Sequence, residues 1–215
     1  MSQTFIITGT DTNIGKTIFA AALTQALQAT YWKPVQCGLE GETDSQIISR
    51  LTNCNVLEEA YRLSMPASPH LAAEAEALNI ATDSLSLPAI DTPLVVEGAG
   101  GIMVPINREK LFLDLFVKWN APVVLCARTT LGTINHTLLS VKALRDTGCE
   151  VLGVAFVGEA CEAVEKTICD FGEVSRLGRL AHLDELTPET LKAAFNDGFD
   201  LNLFTQAPPI GGAMT

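Results

Sequence analysis

Short runs of apolar and β-branched residues alternate along the chain with stretches in which apolar positions recur three and four apart. The runs Thr4 to Thr8, Tyr31 to Val35, Pro93 to Glu97, Pro122 to Ala127, Val151 to Val157 and, more weakly, Val174 to Leu180 predict strands. Several are apolar throughout, as strands are when both faces are buried. Helices are predicted over Lys16 to Ala29, Asp44 to Asn53, Pro69 to Leu78, Leu111 to Trp119, Thr133 to Asp146, Ala160 to Phe171 and Pro188 to Phe195. Two of them open with strong signals: Ser68-Pro69 and Thr187-Pro188 set a capping hydroxyl before a first-turn proline. This alternation predicts an α/β fold of three layers, a mostly parallel sheet flanked by helices on both faces. Gly98 to Lys110, glycine-rich and interrupted by Pro105, reads as a long loop after a strand, where α/β proteins place ligands. Residues 207–215 read as an extended tail. With no repeat or linker in view, residues 1–215 are expected to form a single domain.

Composition narrows the function more than the fold. A 215-residue chain that is 47% hydrophobic suffices for one substantial core. The formal net charge of -11, with no cluster of Lys or Arg, argues against a nucleic-acid partner. The first residues carry no basic leader region, and no apolar run approaches the ~18 residues of a membrane span, so a cytoplasmic, membrane-free protein is expected. The six cysteines lack a CxxC pair and the three histidines lie far apart, which points to reduced thiols rather than disulfides or zinc.

The chemistry begins directly after the first predicted strand. Gly9-Thr10-Asp11-Thr12-Asn13-Ile14-Gly15-Lys16-Thr17 leads into an alanine-rich helix. In such a loop Gly15 permits a tight turn, successive N–H groups face a phosphate, Lys16 supplies a point charge, and the Thr17 hydroxyl can ligate magnesium. The usual first glycine is displaced by one position, with Thr10 in its place, but the strand, loop and helix context is the one the mechanism needs. The predicted fold is therefore P-loop NTPase-like. Magnesium prefers oxygen ligands, and Glu97, ending Leu94-Val95-Val96 and preceding Gly98-Ala99-Gly100-Gly101, is the first carboxylate expected there. Asp44 is either a second metal ligand or a simple helix cap. Lys33, before Pro34, either reaches the phosphate cleft or is an edge lysine.

Six segments in order then resemble one family: Thr8-Gly9-Thr10-Asp11-Thr12 with Gly15-Lys16-Thr17, Lys33-Pro34-Val35, Asp44, Ser68-Pro69-His70, Glu97-Gly98-Ala99-Gly100-Gly101, and Leu131-Gly132-Thr133-Ile134-Asn135-His136. From the first strand to about Gly178 the chain resembles the dethiobiotin synthetases. That resemblance implies ATP- and Mg2+-dependent ring closure of 7,8-diaminononanoate with CO2 or bicarbonate, giving dethiobiotin, ADP and phosphate. It assigns catalysis to Lys33, Lys16 and Thr12, and the metal to Thr17, Asp44 and Glu97. Nucleotide contacts fall to Asn13, Ile14, Gly15, Lys16, Thr17, Ile18, Asp44, Glu97, Gly98, Ala99 and Gly100. Substrate contacts fall to Thr12, Lys33, Cys37, Gly100 and Gly101, with Leu131, Gly132, Thr133 and Asn135 supplied across a homodimer interface.

The chain departs from the family pattern in three places. Cys37 stands where a small hydroxyl residue is common. The Asn-Asp pair that recognises adenine is absent after Val154-Ala155-Phe156-Val157-Gly158, and Gly178-Arg179-Leu180-Ala181 replaces the Gly-x-x-Pro turn, so other nucleoside triphosphates come into consideration. The span before Lys33 is short, which predicts a truncated second strand. Two rivals share the superfamily. A partition or site-placement switch ATPase carries a signature lysine early in the loop, where this chain has Asp11-Thr12-Asn13. Amidase-type synthetases of the cobyrinate kind carry a glutaminase domain, for which this length leaves no room.

Overall fold

The computed structural model describes residues 3–205. In chain order its elements are β1 (Thr4–Gly9), α1 (Lys16–Leu27), β2 (Thr30–Trp32), β3 (Val35–Cys37), α2 (Asp44–Leu51), β4 (Tyr61–Leu63), α3 (Pro69–Ala75), a 3-10 turn (Thr82–Ser84), β5 (Leu94–Gly101), α4 (Phe112–Trp119), β6 (Val123–Arg128), α5 (Thr133–Asp146), β7 (Val151–Val157), α6 (Glu162–Gly172), β8 (Arg176–Leu180), α7 (Pro188–Gly198) and α8 (Asn202–Thr205). Six strands form one sheet in the order β2-β5-β1-β6-β7-β8, with every pairing parallel. The expected extended tail at 207–215 lies outside the described residues.

Strand periodicity divides the core. Phe5, Ile7, Val95, Val124 and Cys126 face α1 and α7, where Phe19, Leu23, Leu191 and Phe195 complete a buried layer. The alternating residues Ile6, Val96 and Val123 face the other way and pack with Phe112, Phe116 and Trp119. Leu125, Val154 and Phe156 continue that second layer against Val141 and Ile168 of α5 and α6. Two buried faces explain why the central strands lack polar alternation.

Three expectations need correction. The predicted strand Tyr31 to Val35 is two: β2 pairs with β5 in the large sheet, and after Lys33-Pro34 the chain resumes as β3, paired with β4 in a separate two-stranded sheet. Proline donates no ladder hydrogen bond, so the break falls where the sequence first prevents pairing. The anticipated truncation of the second strand is real, with β2 only three residues long. Second, the loop expected from Gly98 is still strand as far as Gly101. It passes between β1 and α4, and a Cβ on Gly98 would lie 3.2 Å from Cζ of Phe116. Third, β4, the 3-10 turn and α8 were not anticipated.

Candidate active site

The loop between β1 and α1 owes its shape to two residues with positive φ, Asn13 (54°) and Gly15 (93°). A side chain at Gly15 would also meet Val157 Cγ1 at 2.6 Å, so the position requires glycine on two counts. The turn leaves the first N–H groups of α1 unpaired at a helix N-terminus, an anion seat. Lys16 is buried and its Nζ donates to the Asp11 carbonyl at 2.7 Å. Burial lowers its pKa, with Glu97 partly opposing that. From the far side Arg128 braces the loop, donating to the Thr12 carbonyl at 2.8 Å and lying 3.6 Å from Asp11.

Facing this loop is a cleft of about 700 Å³. It is lined by Thr12, Asn13, Ile14, Gly15, Lys16, Thr17, Ile18, Lys33, Cys37, Asp44, Glu97, Ala99 and Gly100 among the expected residues, together with Gln36 and the turn at Pro66 to Pro69. Gly98 and Gly101 are behind it rather than on its surface. Gly101 packs against the backbone of Gly9 instead, where an added Cβ would lie 3.4 Å from the carbonyl oxygen.

Thr17 Oγ1 lies 2.7 Å from Asp44 Oδ1 and 2.9 Å from Glu97 Oε1. A hydroxyl has one proton to donate, so it satisfies one carboxylate at a time and turns lone pairs toward the other. Three oxygens gathered in this way form the donor set that suits a hard divalent cation. Different elements deliver them. Thr17 is in the first turn of α1, Glu97 is within β5, and Asp44 opens α2, whose start is fixed by a reciprocal cap. There Thr43 Oγ1 accepts from the Gln46 N–H at 3.4 Å and the Gln46 side chain accepts from the Thr43 N–H at 2.8 Å. Thr43, not Asp44, is the capping residue, which removes the simple reading of Asp44 as a helix cap.

Lys33 is buried, not an edge residue. Its ammonium pairs with Asp44 and lies 3.4 Å from Glu97 Oε1. Desolvation works against its charge, but the two carboxylates prevail and its pKa is raised. Glu97, 1% exposed, is raised because burial outweighs the pull of Lys33. Asp44 is lowered despite partial burial, chiefly by Lys33. At Cys37 burial pushes the thiol up to about 11, so it meets the cleft as a neutral, weak donor.

Tyr31 went unnoticed in the sequence, where it read as one more apolar strand residue. Its hydroxyl donates to Glu97 Oε2 at 2.8 Å. The spacing held the signal, since residues two apart on a strand share a face and Tyr31 and Lys33 flank Trp32. Leu131, Gly132, Thr133 and Asn135 do not reach the cleft. Leu131 is fully exposed, and Thr133 Oγ1 donates to the Arg128 carbonyl at 2.7 Å. A second cavity of about 460 Å³ adjoins the loop through Asn13, Ile14, Gly15 and Ile18, with Val157, Leu183 and Leu186 as apolar walls and Glu159 and His182 at its edge.

A glycine-lysine-threonine loop on a parallel sheet, facing two carboxylates, defines a P-loop nucleoside triphosphate enzyme. A family model described as an AAA domain matches residues 3–190. Over 211 residues the chain is 55% identical to the ATP-dependent dethiobiotin synthetase BioD of Rhodopseudomonas palustris (strain HaA2), covering 97% of this chain and 99% of that one. Identity to the enzyme of the same name from Brucella anthropi is 54% over 207 residues, 95% of this chain and 98% of the other. The chain belongs to the ATP-dependent dethiobiotin synthetase family. Among solved structures, the MinC:MinD cell division complex of Aquifex aeolicus aligns with a TM-score of 0.53 at 10% identity, over 90% of this chain and 86% of that one. Chloroplast FtsY of Physcomitrella patens aligns with a TM-score of 0.51 at 14% identity, over 90% and 65%. Likeness at that identity concerns the fold alone.

Proposed function

We propose that the chain, acting as a single domain, closes the ureido ring of dethiobiotin from 7,8-diaminononanoate and CO2 at the expense of ATP. One substrate amine adds to CO2 and loses a proton, giving a carbamate. A carbamate oxygen attacks the γ-phosphorus of ATP and releases ADP, and the second amine then attacks the carbonyl carbon and expels phosphate as the ring closes. Carbamate and triphosphate are both anions, so the chain's task is to hold them together and neutralise them. The loop N–H groups from Asn13 to Ile18 would cradle the phosphates, Lys16 would meet the migrating group, and Lys33 would lie between carbamate and phosphate. Thr12, Ala99, Gly100 and the neutral Cys37 thiol would border the substrate, with Gly98 and Gly101 packed behind them against Phe116 and Gly9. Thr17, Asp44 and Glu97 would hold magnesium, which supplies charge neutralisation at the phosphates when bound. The observation that carries this reading is the convergence of Lys16, Lys33 and the three oxygen-bearing side chains on one cleft, in a chain more than half identical to named synthetases over nearly their full length.

The cavity beside the loop suits a nucleotide base. Its walls are largely apolar, and beyond the loop's own Asn13 no side-chain amide is among its lining residues, which supports acceptance of more than one base. A homodimer is supported by the α5 region: Leu131 and Leu139 are exposed apolar residues, Asn135 shares the face of Leu139, and Gly132 leaves the N-terminus of α5 open to a carboxylate. No helix among the described residues is long and apolar enough to cross a membrane, which accords with a cytoplasmic enzyme.

Phosphate release with the diamine and bicarbonate, run with ATP, CTP, GTP and UTP, tests the whole. Release that depends on both substrates is expected. A partition or site-placement switch ATPase would instead release phosphate without the diamine and respond to a protein or DNA partner, an outcome that would overturn the synthetase reading.

A further inference from the structure

Glu97 presents its two oxygens to different neighbours. Oε1 lies 2.9 Å from Thr17 Oγ1 and 3.4 Å from Lys33 Nζ, on the cleft side. Oε2 points back into the core and accepts the Tyr31 hydroxyl at 2.8 Å. Tyr31 is fully buried in the layer that also holds Phe19 and Leu23. It is fixed from both sides of its strand, since its N–H donates to the Asn55 carbonyl and it is in register with Val95 of β5. The phenol therefore has little freedom, and neither does the carboxylate it holds.

We propose that Tyr31 is a positioning residue that limits Glu97 to offering one oxygen, Oε1, to the divalent cation, and so sets the preference of the site for magnesium over calcium. The proposal rests on the assignment of Thr17, Asp44 and Glu97 as the metal set. Magnesium takes a near-octahedral shell of close, single-oxygen ligands, whereas calcium accepts more ligands and readily takes both oxygens of a carboxylate. A carboxylate with one oxygen tied to a buried donor cannot rotate to offer both. Hydrogen-bonded supports of this kind alter metal affinity by about 10- to 100-fold when removed. Without the phenol, Oε2 would be buried and unpaired, and turning it toward a cation would relieve that.

The test uses Tyr31→Phe, which keeps the ring and removes only the donor, with Glu97→Gln beside it. Mn2+ bound to the protein carrying a β,γ-methylene analogue of ATP, the analogue kept below the protein concentration, is read by electron paramagnetic resonance and displaced with Mg2+ or Ca2+. Tyr31→Phe is expected to shift the ratio of calcium to magnesium affinity about tenfold toward calcium, and Glu97→Gln to weaken Mn2+ binding itself. An unchanged ratio in a folded Tyr31→Phe protein, with Glu97→Gln still weakening the metal, would overturn this inference alone. If Glu97→Gln has no effect, the metal set falls and the inference with it. A second measurement needs no change at position 31. The chain has two tyrosines, so 13Cζ-tyrosine labelling with Tyr61→Phe isolates the Tyr31 resonance. That resonance should shift when Mg2+ and the analogue bind; no shift would sever the phenol from the metal carboxylate.

Discussion

Glu97 is a carboxylate held almost dry beside two lysines, and the balance of those influences has a measurable consequence. Its folded pKa is raised, so the native state binds its proton more tightly than the unfolded chain does. Stability contributed by this group is thus present at low pH and falls as pH rises from the unfolded value through the folded one. Glu97→Gln should therefore flatten the fall of melting temperature with rising pH, followed by calorimetry across the pH range, while losing turnover by about 100-fold. A melting profile with the parent's pH dependence would contradict that account. Lys33 behaves oppositely: its charge is retained because Asp44 and Glu97 are beside it. Lys33→Ala should lower kcat by about 10²–10³ with nucleotide binding retained in a fluorescence titration, and unimpaired turnover would remove it from the chemistry. The meeting of Lys16, Thr17 and Glu97 at one cleft was legible in the sequence because motif and context place them together. The partnership of Tyr31 was not, because the hydroxyl of a buried tyrosine declares no partner until the facing strand is known.

Among the elements, those with buried runs were readable and those made by pairing were not. The strands and helices that build the two core layers follow the apolar periodicity to within a few residues. The β3–β4 pair escaped because each strand is three residues long, too short for any period to register. The glycines of β5 read as a loop because glycine is a poor strand former, yet close neighbours on β1 and α4 make side chains there a liability. The register supports this. Ile7 pairs with Glu97 and Gly9 with Gly101, so β5 advances four residues while β1 advances two, and the surplus bows toward the phosphate loop. Helix α2 is where packing and function meet most directly, because the cap that starts it also aims Asp44. Thr43→Ala should reduce stability by about 1 kcal/mol in urea unfolding and raise the Mg2+ concentration needed for half-maximal activity. Lost stability with an unchanged magnesium requirement would show that the cap does not aim Asp44.

For the molecule as a whole, the residues expected to serve a neighbouring subunit are those that its own cleft does not use. Leu131→Glu places a charge on a fully exposed apolar position and should shift sedimentation from dimer to monomer with little change in melting temperature. A native chain that sediments as a monomer would remove the shared site. One further consequence follows from the place where the polypeptide leaves the six-stranded sheet. Lys33 stands on the two-residue step from the large sheet into the small one, so its backbone is held by a solid wall on one side and a two-stranded ladder of three paired positions on the other. Opening that ladder would release the lysine while the remainder of the protein stayed folded. Amide exchange at Gly38, whose N–H donates to the Leu63 carbonyl at 2.9 Å, should therefore report how often the enzyme falls idle, and a warmer solution should silence it well before it melts.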